Sequence, residues 1–484
     1  QEVIARQFVR TARGRQAARC RPTTSCGKIY PDGGAPLPVD LDELCLEAIF
    51  SPDGMLARLL PAYEERPQQL QMARFVWRCL EQGRHGLVEA GTGVGKSLAH
   101  LFPAAIWALS RGERIVISTH TINLQEQLVQ KDIPTVSRLL DRLGAPPLRA
   151  VLVKGRNNYL CLRRLEQELG AREQQLSLGL LANEADLAVR NLAERVTGPG
   201  ATGDRADLYP PVPPDVWAKV QSDSDECVGE KRPFRDGCFF RRARRRQEES
   251  HLLVTNHALL CADLRVRRET DGLGVLAAHE AVICDEAHHL ERVAADYLGT
   301  RLTGYRFAWL VEAVQDLIAQ PQVRTAVSEH TLRRYEEVLA TVLDSSNRFF
   351  ADLHVRLVAS LQTKAPHEPR LREAARSPAA PWRPVRLRAP LSGYQGLLAD
   401  LGRLADALDQ LAAMGLSEEH SRLAANQAHR CRVLQEELEQ AAALKDPAYA
   451  CWLEPIPGTR FGGVALCSAP ISVAEILAEL FFAR

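Results

Sequence analysis

The sequence predicts an α/β fold in which a mostly parallel sheet, covered by helices on both faces, is interrupted by two insertions. Three observations predict it. Short apolar runs at 86–90, 114–119, 150–154, 252–255 and 281–285 alternate with segments of helical period. The first run opens into a glycine-rich loop and the last delivers two carboxylates. Both therefore fall at the C-terminal strand ends, where open α/β sheets gather ligands. The alternation breaks twice, over about residues 156–250 and again from near Tyr297 to about residue 455, and the second break is strongly helical.

Taken in order, residues 1–38 mix Arg, Thr, Gly and Pro without sustained periodicity, so a disordered leader is expected there. A short acidic helix follows near 41–49. The segment from Tyr63 to Met72 then sets Arg66, Pro67 and several glutamines ahead of the glycine loop. Gln69 carries an amide suited to reading an adenine edge. Residues 86–97 read Gly-Leu-Val-Glu-Ala-Gly-Thr-Gly-Val-Gly-Lys-Ser, a phosphate cradle. Gly91, Thr92, Gly93, Val94 and Gly95 let successive backbone N–H groups converge on phosphate oxygens. Lys96 adds a point charge, and the Ser97 hydroxyl can ligate Mg²⁺. Such a short pattern can arise by chance. Residues 281–289, Ala-Val-Ile-Cys-Asp-Glu-Ala-His-His, supply the complement: Asp285 for the Mg²⁺ shell and Glu286 to orient and deprotonate the attacking water. Between them, residues 118–128 place small hydroxyl and amide groups at a strand-to-helix junction. That junction suits a sugar-phosphate backbone, although alone it would read as a helix cap.

Composition narrows the class. The 484 residues carry 61 basic and 60 acidic side chains, so the net charge of +1 says nothing of partners. The local run Arg241-Arg-Ala-Arg-Arg-Arg246 says more, as either a solvated helix face or a nucleic-acid contact. Apolar runs are too short to cross a membrane and no apolar signal core opens the chain, so a cytoplasmic location is expected. Twelve scattered cysteines are not a secreted disulfide framework; Cys79 and Cys284 read as core thiols. In the second break, Phe307, Leu310, Val311, Val314, Leu317 and Ile318 share one helical face, as do Leu397, Leu401, Leu404, Leu408 and Leu411. Both ends of the chain read as cut.

Six ordered segments carry a family resemblance: Arg66 to Met72, Ala90 to Ser97, Ser118 to Leu128, Lys154 to Cys161, Val254 to Leu260 and Asp285 to His288. From about residue 40 onward the chain resembles the XPD/DinG branch of superfamily 2 DNA helicases, and looks closest to bacterial DinG-like proteins. The resemblance implies a RecA-like P-loop NTPase domain in two parts, 39–155 and 251–298. It implies an iron–sulfur-type module at 156–250, a helical arch at 299–458 and a return segment at 459–484, cut before a second RecA-like domain. It also implies ATP and Mg²⁺ as cofactors and 5′ to 3′ movement along single-stranded or forked DNA, by a protein expected to be monomeric. Arg66 and Gln69 would then serve the nucleotide, and Thr119, His120, Arg156, Asn158, Tyr159, Asn256 and His257 the DNA. An arginine from the missing domain would be needed for full turnover. The chain alone is expected to bind ATP and DNA but not to unwind. The alternatives are a nucleotide-dependent accessory protein that binds single-stranded DNA without helicase activity, and a P-loop ATPase acting on other partners.

The cysteine pattern departs from the family. By motif position the four ligands of a [4Fe–4S] cluster fall on Cys161, Cys227, residue 232 and Cys238, and residue 232 is an arginine. A guanidinium has no lone pair to offer iron. A standard four-cysteine cluster therefore cannot form. The module has lost the cluster and folds by packing, or completes it otherwise, or its sequence is altered at Arg232.

Overall fold

A computed structural model describes residues 5–11, 44–60, 63–91, 93–177, 184–196, 198, 200–223, 237–269, 274–363, 384–456 and 463–482. The described residues divide into two compact units. One takes those up to Asp223, those from 237 to Ala294 and those from Val473 on; the other takes Ala295–Ser472.

Six strands form the sheet of the first unit: β1 (Ala5–Thr11), β2 (Gly86–Ala90), β3 (Ile115–Thr119), β4 (Ala150–Leu152), β5 (Leu252–Asn256) and β6 (Ala281–Cys284). Their order is β2-β1-β6-β3-β5-β4. The last four are parallel, with Ile117 of β3 facing Val254 of β5 and Ile283 of β6. Strand alternation sends Ile115, Ile117, Leu252, Val254, Ala281 and Ile283 into one apolar core, and Val116, Leu253, Val282 and Cys284 into another on the opposite face. The helices Pro67–Gln82 and Lys96–Arg111 cover the first face through Val76, Trp77, Phe102 and Ile106. Leu260, Leu264 and Phe481 cover the second. The five strands read from sequence are therefore present.

The leader expectation does not hold for Ala5–Thr11. This segment is β1, antiparallel to both β2 and β6, with Phe8 opposite Leu87 on one side and Cys284 on the other. Seven residues suffice for a strand when two neighbours offer unpaired backbone, whereas a periodicity test needs a longer window. The sheet is parallel in four strands and mixed at the β2 side.

The described residues among 156–223 and 237–250 fold around a core of their own, in which Leu165, Val189, Leu192, Val216, Trp217, Val220 and Phe239 are buried. The second unit combines the antiparallel sheet β7 (Thr300–Thr303), β10 (Gly463–Pro470), β9 (Tyr449–Ile456) and β8 (Val385–Arg386) with long helices Gly304–Ala319, Glu329–Thr363, Tyr394–Ala412 and Glu418–Ala443. Both predicted helical faces are buried there. The expected return segment divides: β10 belongs to this second sheet, and the chain rejoins the first unit only from Val473. Among the described residues no helix is long and apolar enough to cross a membrane.

Candidate active site

The phosphate-type loop joins β2 to the helix Lys96–Arg111. Gly93 has φ 84° and Gly95 φ 79°, left-handed values that favour glycine. A methyl at Gly93 would meet no atom within 4 Å, so the space above the loop is open. At Gly95 a methyl would lie 2.2 Å from Gln69 Nε2. Gln69 donates to the Gly95 carbonyl at 2.9 Å and is 3% exposed, so its amide faces the loop and not an open base site. Arg66 precedes the helix Pro67–Gln82 and pairs with Glu64 at 3.2 Å. Thr92 lies outside the described residues.

The acidic pair leaves β6 at the same edge. The Asp285 N–H donates to Ser118 O at 2.8 Å, extending the parallel pairing, and its side chain is nearly buried. Glu286 stands at φ 53°, ψ 40°, a strained conformation for a residue with a side chain. That turn swings its carboxylate back to the loop, where Oε1 lies 3.3 Å from Lys96 Nζ and Oε2 lies 3.5 Å from His288 Nδ1. Lys96 and Glu286, 190 positions apart in sequence, are thereby joined.

Asp132 is a member of this corner that the sequence reading missed. A π-helical turn, Leu128–Asp132, brings its buried carboxyl to Ser97. Burial pushes that carboxyl up, and hydrogen bonds from Gln127 and Ser97 oppose the shift. His100 is completely buried beside Asp285 and Asp132, and burial holds its ring below the ordinary imidazole range. No local motif marks Asp132, because it is the widened turn that aims it.

Four histidines continue the edge. His120 stacks on His289 with centroids 3.9 Å apart, and His289 lies 4.0 Å from His288. His257 sits 6.3 Å from His120, and its Nδ1 shares a 2.7 Å hydrogen bond with Ser118 Oγ. Burial lowers the His257 pKa to about 4. Of the seven residues read as DNA-facing, Thr119, Tyr159 and His257 are buried. Burial likewise pushes the Tyr159 hydroxyl to about 12. His120, Arg156, Asn158 and Asn256 keep partial exposure. Arg156 lies over the Phe240 ring at 4.1 Å, and Asn256 Oδ1 accepts from Leu259 N at 2.8 Å.

The basic run forms the helix Phe239–Glu248, and its arginines have different work. Arg242 donates to Ala201 O at 2.8 Å, and Arg244 to the carbonyls of Gly274 and Val275. Arg245 and Arg246 are exposed. Cys161 and Cys238 are free, partly exposed thiols, whereas Cys227 and Arg232 lie outside the described residues.

No protein-family model matches the chain. It is 36% identical over 261 residues to the ATP-dependent DNA helicase YoaA of Escherichia coli, covering 52% of this chain and 38% of that protein. The ATP-dependent helicase DinG of Mycobacterium tuberculosis gives the same identity over the same shares. A protein of Bacillus subtilis named 3′-5′ exonuclease DinG is 29% identical over 452 residues, 89% of this chain and 46% of its own length. Over these stretches the chain is similar to proteins named as DinG-type and YoaA helicases. It spans less than half the length of these curated relatives.

The corner fits a magnesium ion. Asp285 and Ser97 offer hard oxygen donors, and Mg²⁺ commonly keeps waters and substrate phosphates beside one or two protein ligands. Among the described residues no group of three or more His, Cys, Asp or Glu forms a metal cage. The cysteine set does not fit a four-thiolate cluster, since its remaining position is the guanidinium of Arg232.

Proposed function

We propose that the chain is the nucleotide-binding part of an ATP-dependent DNA helicase of the DinG type, a hydrolase that moves 5′ to 3′ along single-stranded or forked DNA. One observation carries the reading: the 3.3 Å approach of Lys96 to Glu286 across the mouth of the glycine loop. Loop N–H groups from Gly93 to Lys96 would hold the β and γ phosphates at the start of the helix. Asp285 and Ser97 would hold Mg²⁺, whose charge offsets that of the phosphates. Without a phosphate, Lys96 neutralises Glu286. An arriving γ-phosphate competes for Lys96 and frees Glu286 to take a proton from water. His120, Arg156, Asn158 and Asn256, with the exposed Arg245 and Arg246, would follow the DNA backbone largely without sequence preference. Unwinding would need a second RecA-like domain, and the helicase would act as a cytoplasmic monomer.

Calorimetry tests the reading. The chain should bind Mg-ATP, and Lys96→Ala should weaken that binding roughly tenfold to a hundredfold, the range for losing a charge-assisted contact. Equal affinity in the two proteins, or no binding by the parent, would overturn it.

A further inference from the structure

We propose that Asp132 is a positioning residue for the magnesium ion: it holds the Ser97 hydroxyl with its lone pairs toward the cation and accepts from a water of the cation's shell. The inference rests on the nucleotide reading above and adds to it a residue from outside both the glycine loop and the acidic pair. Asp132 directly precedes the helix Ile133–Arg142, where an aspartate commonly caps, yet its side chain makes no capping bond there. The π turn Leu128–Asp132 takes the carboxyl instead to the start of the helix Lys96–Arg111, where it accepts from Ser97 and also from Gln127. Widened turns of this kind frequently sit at functional sites.

Two further observations connect that contact to a metal. A hydroxyl has a single proton, so once Ser97 gives it to Asp132 only lone pairs remain for the mouth of the loop. Lone pairs suit a hard cation and repel a phosphate oxygen. The Asp132 side chain is also only 8% exposed, and its Oδ2 is buried with no hydrogen-bond partner among the described residues. A buried carboxylate oxygen is costly to leave without a donor. Magnesium keeps several of its waters when bound, and such waters donate strongly to a carboxylate one shell out. Asp132 thus touches neither nucleotide nor ion and acts through the hydroxyl and the water that do.

The test measures Mn²⁺ binding to the ADP-loaded chain by electron paramagnetic resonance, with Mn²⁺ standing in for Mg²⁺, and ADP binding in EDTA by calorimetry. The proteins compared are the parent, Asp132→Asn, Asp132→Ala and Asp285→Ala. Asp132→Asn keeps the shape and one acceptor; Asp132→Ala removes both. Each Asp132 variant should weaken Mn²⁺ binding about tenfold to a hundredfold, less than Asp285→Ala does, and keep metal-free ADP affinity within about twofold of the parent. The melting temperature of Asp132→Asn without nucleotide should not fall. Unchanged Mn²⁺ affinity in both Asp132 variants would overturn the proposal. Equal losses with and without metal would overturn it too, because they would make Asp132 a support of the loop's fold. A loss matching that of Asp285→Ala would make it a direct ligand and end the positioning role. Should the parent bind ADP in neither condition, the nucleotide reading falls, and this assignment with it; if the parent binds ADP and the Asp132 variants match it, this assignment falls alone.

Discussion

The glycine loop with its acidic partner and the cysteine-bearing insertion both carry residues whose types advertise chemistry, but they use them differently. At the loop, polar groups meet one another: Gln69 reaches the Gly95 carbonyl, Lys96 reaches Glu286, and Ser97 reaches Asp132. In the insertion several conspicuous residues serve the fold. Tyr159 and Phe239 are core, and Arg164 caps three carbonyls, those of Ala218, Lys219 and Gln221, at the end of the helix Pro214–Val220. Residue type alone does not separate the two cases. What separates them is whether polar atoms converge on open space or on backbone already spoken for.

The largest effect that would sharpen this contrast is at Glu286. Glu286→Gln should keep Mg-ATP binding and lose roughly a hundredfold to ten-thousandfold in hydrolysis, the usual contribution of a general base. Unchanged turnover would move the corner into the structural class. Next is Trp217, 2% exposed, whose Nε1 donates to Asn157 O at 2.9 Å. Trp217→Ala should destabilise the insertion by about 3–5 kcal/mol in denaturant melts. An iron chelator should leave the parent's melting point unchanged; a drop would show that metal, and not packing alone, holds the insertion.

A pH dependence of similar size is expected at His251. Its Nδ1 accepts from Arg149 N at 3.0 Å, and burial, aided by the charges of Arg149 and Arg114, lowers its pKa to about 4 from 6.5. The unfolded chain therefore binds a proton that the folded chain excludes. The stabilising contribution is fully present above the unfolded value and is lost as pH falls from 6.5 toward about 4, at most on the order of 3 kcal/mol. Melts of the parent and of His251→Asn between pH 7 and 4 measure it, and the variant should show the shallower decline. The smallest effects divide the basic run. Arg244→Ala should cost about 1–3 kcal/mol through its lost carbonyl bonds. Arg245→Ala should leave stability within about 0.5 kcal/mol and lower the salt slope of DNA binding by about one.

The sequence displayed whatever is contiguous or periodic. The five alternating strands, the loop ending in Lys96 and Ser97, the Asp285–Glu286 pair and the buried faces around Phe307 and Leu401 all follow from short windows of residue type. It concealed what depends on an unusual backbone or a distant partner. Asp132 is aimed by a π turn, which has no simple composition rule. The partner of Gln69 lies 26 positions away, and the burial of Thr119 and His257 depends on strands paired across more than a hundred residues. The division within Arg241–Arg246 was hidden too, because one helix turns successive guanidinium groups toward different surroundings.

The antiparallel strand β1 has a mechanical consequence. Because it lies between β2 and β6, no backbone ladder ties the strand leading to Lys96 directly to the strand leading to Glu286. The two halves of the corner are registered through a seven-residue spacer and, among other contacts, the Lys96–Glu286 bridge. Deleting the spacer would leave two bare edges in mid-sheet, a cleft shaped to admit another extended segment.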